Sequence, residues 1–465
     1  MLLRRKETDV RNVKKGSTDL TQGNSVRLIL NYALPILLGQ VFQNLYNSVD
    51  SIVAGNFAGT TALAAVTSCS DISNLLVGFF TGLSTGAGVL FARFYGAKNW
   101  EKLHDSIHTT LTFSVILGAA MALAGILLTP FLLTVVDCPA DVWGEAELYL
   151  RIYLVGILFT SIYNVASGVL RAVGNSRDPF LYLVAASCTN IALDLLLVGG
   201  LRMGVAGAAI ATIISQLLSV FLVFWNMLRT EDVYRLVLRD LRRMDRSLLL
   251  EVLDLGLPAA VQTCLVSVSN LFVQRYVNQF GSLAMAGIGA AKKVDKYVGL
   301  ISNSIGLSAT TFVSQNLGAQ RRDRAFRGVR ICLVMSGVAV AALGIPTYCF
   351  APAVLRIFTP SQEAIAFGTA MVRVMMPLYY FQALMQIFSN AVRGFGKSRV
   401  VMVLSLLGLV VGRQIFLFFS MRLHYSVNNI YYAYPVGWGL AAVLCIIYYV
   451  FTIKRSNASG QFAEG

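Results

Sequence analysis

The sequence predicts an all-α integral membrane protein: twelve transmembrane helices in two pseudo-two-fold-related six-helix lobes around a central cleft. Three observations lead there. First, the 465 residues are 56% hydrophobic and 13% charged, with a mean hydropathy of +0.67, whereas soluble domains carry about a quarter charged residues. The apolar residues fill segments of about 20 or more, long enough to cross ~30 Å of hydrocarbon. An outer-membrane barrel would alternate polar and apolar positions instead. Second, the net charge of +15 is unevenly spread. Of the 38 Lys and Arg residues, 28 fall in the stretch up to Arg27 and in 93–102, 171–177, 229–246, 321–330, 393–399 and 454–455. Each cluster follows a pair of apolar spans or caps a chain end. The intervening segments near 54–61, 137–147, 200–203 and 359–365 carry few cations. This is the positive-inside pattern, so the basic balance reports topology and not nucleic-acid binding. Third, the sequence repeats at an offset of 222. Gly59 falls on Gly281, Gly96-Ala97 on Gly318-Ala319, Arg151 on Arg373, Arg171 on Arg393, Gly174 on Gly396 and Ser176-Arg177 on Ser398-Arg399. Six spans per copy is even, so both copies share one orientation and the pseudo-axis runs along the membrane normal.

In chain order, residues 1–27 are expected to be a cytoplasmic tail, too polar for a cleavable signal peptide. The N-lobe, 28–228, holds spans at about 28–53, 63–91, 107–136, 148–171, 180–200 and 204–228. A basic cytoplasmic linker, 229–249, joins it to the C-lobe, 250–453, with spans at about 250–277, 284–314, 328–358, 366–394, 400–422 and 428–453. Residues 454–465 form a second cytoplasmic tail. Pro35 and Pro258 stand one to two turns into the first and seventh spans, each as Leu-Pro. Trp100, Trp143 and Trp225 fall at expected membrane interfaces, and Trp438 does not. The seven cysteines are odd in number with no CxxC, and read as small core hydrophobes.

A charge inside hydrocarbon costs at least ~2.5 kcal/mol, so a retained one marks a candidate site. Of 23 acidic residues, only Asp50, Asp71, Asp194 and Asp295 lie well inside spans. Gln40, Gln43, Asn47 and Asp50 form one stripe of the first helix, which must face water or protein. Asn190 and Asp194, at i and i+4, share a face of the fifth helix, and Thr212 lies mid-span in the sixth. These hard oxygen donors suit Na⁺ or a shared, tradable proton; the alternative is that they bond helices together. At the repeat offset Asp50 becomes Phe272, Asn190 becomes Gly412 and Asp194 becomes Phe416. Cation coupling is therefore expected in the N-lobe alone. The C-lobe instead offers Lys292, Lys293, Asp295 and Lys296 in the eighth span and Arg413 in the eleventh. Lys292, Asp295, Lys296 and Arg413 either line the cleft or sit as neutralised pairs and snorkelling lysines. Asp71 is a further candidate for the cleft wall. His104 and His108 have metal-ligand spacing but no evident third ligand, so no metal is expected apart from Na⁺ at the coupling site. Arg171 and Arg393 are expected at helix ends, anchoring headgroups. No P-loop, GxSxG or HExxH is present, so no enzymatic activity is expected.

With these residues in view, the chain resembles the multidrug and toxic compound extrusion (MATE) family over roughly 20–453. The resemblance rests on the first-span Leu-Pro, NSVDSIVAGNFAG around Asp50, FARFYGAKN with its echo SQNLGAQ, LRAVGNSRDP with VRGFGKSR, and GVAGAAIATIISQ. It implies secondary active efflux of organic, often cationic, compounds against inward H⁺ or Na⁺ by rocking of the two lobes. Asp50 matches the family's first-helix aspartate. Asn190, Asp194 and Thr212 match the pattern of its DinF-like branch. Val266 stands where the NorM-like branch has a seventh-helix glutamate. The resemblance further implies a plasma (cytoplasmic) membrane location with both termini inside and a monomer. It also implies contact with membrane lipid, small organic substrates and no nucleic-acid partner. The coupling H⁺ or Na⁺ replaces any cofactor. A lipid-linked oligosaccharide or precursor flippase of the wider superfamily is the alternative, and would want several basic residues in its cleft. A channel would need no asymmetry between lobes.

Overall fold

The structure is a computed structural model that describes residues 17–454, so the two ends of the chain lie outside the described residues. Twelve long helices and no strand occur among the described residues. The N-lobe comprises α1 (Ser25–Ala58), α2 (Thr60–Gly96), α3 (Trp100–Leu127), α4 (Trp143–Ala172), α5 (Arg177–Gly200) and α6 (Gly204–Arg229). The C-lobe comprises α7 (Arg246–Asn278), α8 (Gly281–Gly318), α9 (Arg322–Cys349), α10 (Gln362–Gly394), α11 (Ser398–Leu423) and α12 (Asn428–Ile453). Eleven are long and apolar enough to cross a membrane; α8, with its lysines and Asp295, is the exception.

The helix ends correct the sequence boundaries in a consistent way. The third and ninth spans stop at Leu127 and Cys349 rather than near 136 and 358. Short helices Thr129–Val135 and Ala351–Arg356 follow, with Pro130 and Pro352 in their first turns. Proline cannot donate a hydrogen bond inside a helix but suits its first turn, so each span is cut and restarted. At the other end α3 begins earlier than expected, because Asn99 caps it by accepting from Lys102 N at 3.1 Å.

In the N-lobe α4 packs against α2, α3 and α6, and α5 against α1 and α6. In the C-lobe α10 packs against α8, α9 and α12, and α7 against α11. The lobes meet where α2 lies on α7 and α8, and α1 on α8. Gly59 (φ +92°) and Gly281 (φ +85°), partners in the repeat, open α2 and α8 in the left-handed region that only glycine adopts without strain. Near the end of the bundle that carries the basic segments, Gly96 of α2 lies on the Gln315 carbonyl and Gly318 of α8 on that of Arg93. Arg93 and Gln315 are themselves repeat partners. The pseudo-two-fold therefore passes between α2 and α8, where neither copy leaves room for a Cβ.

Residues 17–24, the end of the expected cytoplasmic tail, strap this basic end of the bundle. Thr18 N donates to Val173 O at 3.1 Å and Leu20 N to Gln315 Oε1 at 3.0 Å. Gln315 Nε2 in turn donates to Ala172 O at 2.7 Å, tying α8 to the end of α4. Arg321 NH1 donates to Thr21 O at 2.8 Å, and Leu20 is 1% exposed. The linker docks in a comparable way on α3. Thr112 Oγ1 donates to Leu241 O at 2.6 Å, and Val237 N to His108 Nε2 at 2.9 Å. His104 Nε2 lies 3.2 Å from Asp240 Oδ2, and this bond holds the Asp240 carboxyl below its ordinary range. The histidine pair thus fastens the linker, and no cluster of three or more metal-ligating side chains occurs among the described residues. All seven cysteines are free; Cys69, Cys332 and Cys445 are buried as expected, whereas Cys188 and Cys349 are exposed. Trp438 packs edge-on against Tyr379 within the C-lobe core, with centroids 5.2 Å apart.

Candidate functional site

A cavity of about 350 Å³ opens within the N-lobe, walled by α1, α2, α4, α5 and α6, with Leu307, Thr310 and Thr311 of α8 closing one side. Its α1 wall is the polar stripe. Gln40, Gln43 and Asn47 all border it, with Tyr46 between them. One turn further, Asp50 lies beside Asp194 of α5, just beyond the lining. The helical period thus puts on one face what the sequence separates by three and four residues.

Asp194 is 0% exposed, and neither of its carboxylate oxygens has a hydrogen-bond partner meeting ordinary geometry. Asn190, which borders the cavity one turn away, is likewise buried with both side-chain polar atoms unpartnered. Buried polar groups are normally satisfied, so a buried carboxylate beside Asp50 and an unpartnered amide on the same helix face offer a place for a small ion. Immediately after Asp194 the α-helix relaxes into a π-helical turn, Leu195–Gly200, and α1 does the same after Val53, at Ala54–Ala58. Such turns are rare and concentrate at functional sites. Tyr149 and Tyr153 of α4 stack with centroids 5.9 Å apart next to Asp50. The arrangement can hold a small cation among carboxylates, or an organic cation against the rings.

The remaining candidates separate. Thr212 is buried on α6, but its hydroxyl donates to Ala208 O at 3.0 Å and to neither carboxylate. Asp71 is exposed on α2 and does not border the cavity, whereas Asn74, one turn on, does. Lys292, Asp295 and Arg413 gather in the C-lobe, apart from this cavity, and Lys296 is exposed near them. Two arginines overturn the expectation of headgroup anchoring. Arg171 borders the cavity, and Arg393 turns inward, its NH2 donating to Gln262 Oε1 at 2.7 Å and its NH1 to Asn390 Oδ1 at 3.2 Å. Their place at helix ends in the sequence hid this; their recurrence at the repeat offset was the available signal. Tyr46, Tyr149 and Tyr153 were missed as well, since tyrosines in apolar spans read as ordinary core.

A family model described as MatE matches residues 35–196 and again 258–416. The matches begin at Pro35 and Pro258, an independent sign of the duplication. The probable multidrug resistance protein YoeA of Bacillus subtilis strain 168 is 30% identical over 436 residues, 92% of this chain and 94% of that protein. A second protein of that strain, the probable multidrug resistance protein YpnP, is 28% identical over 86% of this chain and 89% of its own length. Among solved structures, an outward-facing multidrug resistance MATE transporter superposes with a TM-score of 0.89 at 21% identity, covering 96% of this chain and all of that one. With the fold duplicated, the span pattern matched and the family model met in both halves, the chain belongs to the MATE family of membrane transporters, and is not an enzyme.

Proposed function

We propose that this protein is a secondary active multidrug exporter that exchanges organic, often cationic, compounds for inward H⁺ or Na⁺, with coupling in the N-lobe. The observation that carries this reading is the pairing of half-buried Asp50 with fully buried Asp194, beside an Asn190 whose polar atoms are unpartnered. Two neighbouring carboxylates, one of them fully buried, need compensating positive charge, either a proton on one or a shared Na⁺. Asp50, Asn190 and Asp194 supply that site, in the manner of the DinF-like branch, while the Thr212 hydroxyl stays on its own helix. Gln40, Gln43 and Asn47 present polar edges to substrate in the adjoining cavity. When the site takes up its ion, the carboxylates stop repelling each other, and the π-helical turn beside them lets α5 repack against α1. That change opposes drug binding, and by linkage drug opposes the ion. The exporter works as a monomer in the cytoplasmic membrane with both termini inside, the orientation that its Lys and Arg distribution favours. The multidrug roles named for its relatives support the substrate class.

The test is binding of an organic cation to purified protein at several pH values, with and without Na⁺. Raising H⁺ or Na⁺ is expected to weaken binding about 5–150-fold, the usual range for linked sites. Asp194→Asn should remove that dependence. Drug affinity indifferent to both ions would defeat the reading.

A further inference from the structure

The C-lobe buries charge of the opposite sign. Lys292 Nζ and the Arg413 guanidinium both lie against the ring of Tyr434, 6.0 and 5.5 Å from its centroid. Arg413 is 3% exposed. Its NH1 donates to Asn270 Oδ1 at 2.9 Å and its NH2 to Ser269 Oγ at 2.6 Å, while its Nε has no partner. Lys292 Nζ donates to Gln274 Oε1 at 2.8 Å. Every one of these acceptors is neutral. Asp295 is the neighbouring carboxylate, yet it forms no ion pair with Lys292 or Arg413 among the described residues, and its Oδ1 is buried and unpartnered. Two cations against one carboxylate leave a net positive charge.

Depth makes that charge significant. Lys292 lies about three turns into α8 from Gly281, and Arg413 about three turns back along α11 from Leu423, so both sit roughly 15 Å inside the same end of the bundle. Arg413 thus lies near the middle of α11, which is long and apolar enough to cross a membrane and where an uncompensated charge is most costly. Joining α7 to α11 does not require it, because a neutral amide would bond Ser269 and Asn270 without that cost. A guanidinium whose buried Nε has no partner, by contrast, keeps an edge suited to grip a carboxylate through parallel bonds. The excess of one positive charge fits a monoanion, and the depth keeps the site out of reach of a lipid phosphate at the surface.

We propose that Arg413 and Lys292, with Tyr434 as an apolar wall, form a subsite for the carboxylate of an amphiphilic organic substrate. It rests on the exporter reading and extends the substrate class from organic cations to zwitterions and acids. In the duplicated fold, the N-lobe then answers to the cation and the C-lobe to the acidic group of the cargo.

The test uses the full-length protein in phosphatidylcholine nanodiscs with no ion gradient, titrated with rhodamine B, which has a free carboxylate, and with its ethyl ester, which does not. Wild type should bind the acid at least about tenfold more tightly than the ester, the value of one charged hydrogen bond. Arg413→Gln and Lys292→Gln should each bring that preference to about threefold or less, with ester affinity unchanged within about twofold. Should Arg413→Gln fail to fold, the half-buried Lys292→Gln decides. No preference in wild type, or a preference intact in Lys292→Gln, overturns the proposal. Loss of acid binding on adding phosphatidylglycerol to the nanodisc also overturns it, by making a lipid headgroup the occupant. Because binding is measured without a gradient, these outcomes are separate from gradient-driven efflux of the ester, which tests the exporter reading.

Discussion

The two lobes share a fold and differ in what they bury. In the N-lobe, α5 ends its regular turn at Asp194 and enters a π-helical turn, with Asp50 alongside. In the C-lobe, the π-helical turn Leu407–Gly412 comes before the charged residue, and Arg413 follows it. These turns are not repeat equivalents: 195–200 would fall on 417–422. Phe272 and Phe416 occupy the places of Asp50 and Asp194, Phe272 exposed and Phe416 packed on the C-lobe core. Duplication supplied the scaffold twice, while the buried charges stand at a different register in each lobe and with opposite sign. The shared parts are those that set helix geometry, and the divergent parts are those that can meet an ion or a ligand.

The largest contrast between the lobes is expected at the acids. In proteoliposomes with an imposed pH or Na⁺ gradient, Asp194→Asn is expected to lose gradient-driven drug transport by about a hundredfold or more, while Phe416→Leu stays within about twofold, a loss tied to the coupling step rather than to packing. Transport retained by Asp194→Asn would remove the asymmetry between lobes. A smaller effect sharpens the symmetric part. A Cβ at Gly96 or at Gly318 lands on the opposing backbone, so Gly96→Val and Gly318→Val should each destabilise the basic-end crossing by about 1–3 kcal/mol, seen as a lower Tm. The two losses should agree, since they strike one interface from its two sides. Clearly unequal losses would mean that the pseudo-two-fold is broken there.

The smallest effect lies at the helix starts. Asn24 caps α1, accepting from Val26 N at 3.0 Å and Arg27 N at 3.2 Å. Asp245 caps α7, accepting from Ser247 Oγ and Ser247 N at 2.7 Å each and from Leu248 N at 3.2 Å. The Ser247 hydroxyl, with these amides, holds the Asp245 carboxyl below its ordinary range. A carboxyl lowered by folding stabilises above its unfolded pKa and loses that contribution as pH falls through its folded value. Acidification should therefore fray α7 and not α1. Hydrogen-exchange protection at the Ser247 and Leu248 amides, relative to the intrinsic rate at each pH, should fall slightly at low pH in wild type and lose that dependence in Asp245→Asn. Equal acid sensitivity at Val26 and Arg27 would contradict the assignment.

Much of this was legible in the chain. Span length and polarity predicted the helices, the offset of 222 predicted the lobes, and the period of the stripe from Gln40 to Asp50 predicted a polar wall. What escaped had no periodic signal. Leu20 is a single apolar residue in STDLTQGN, and only the groove between Gln315 and Arg324 makes it a buried anchor. The inward turn of Arg393 depends on Gln262, across in α7, which no local pattern ties to it. Pro130 and Pro352 were visible, yet their apolar surroundings outweighed them and the span ends were drawn too long.

The strap formed by residues 17–24 also sets a schedule for biogenesis. Leu20 leaves the ribosome 295 residues ahead of Gln315, and Asn316 and Arg324 come later still. At roughly 5–20 residues per second, that is a wait of about 15–60 s. Once Arg229 has been made, late in this interval, the first six helices wait with a segment at their head whose bonds to α8 and α9 are still unmade. The N-terminal half is therefore completed only by the C-terminal half. Expressed alone, it would keep the polar stripe of its cavity but lose the α8 side that closes it and the groove that holds its own beginning.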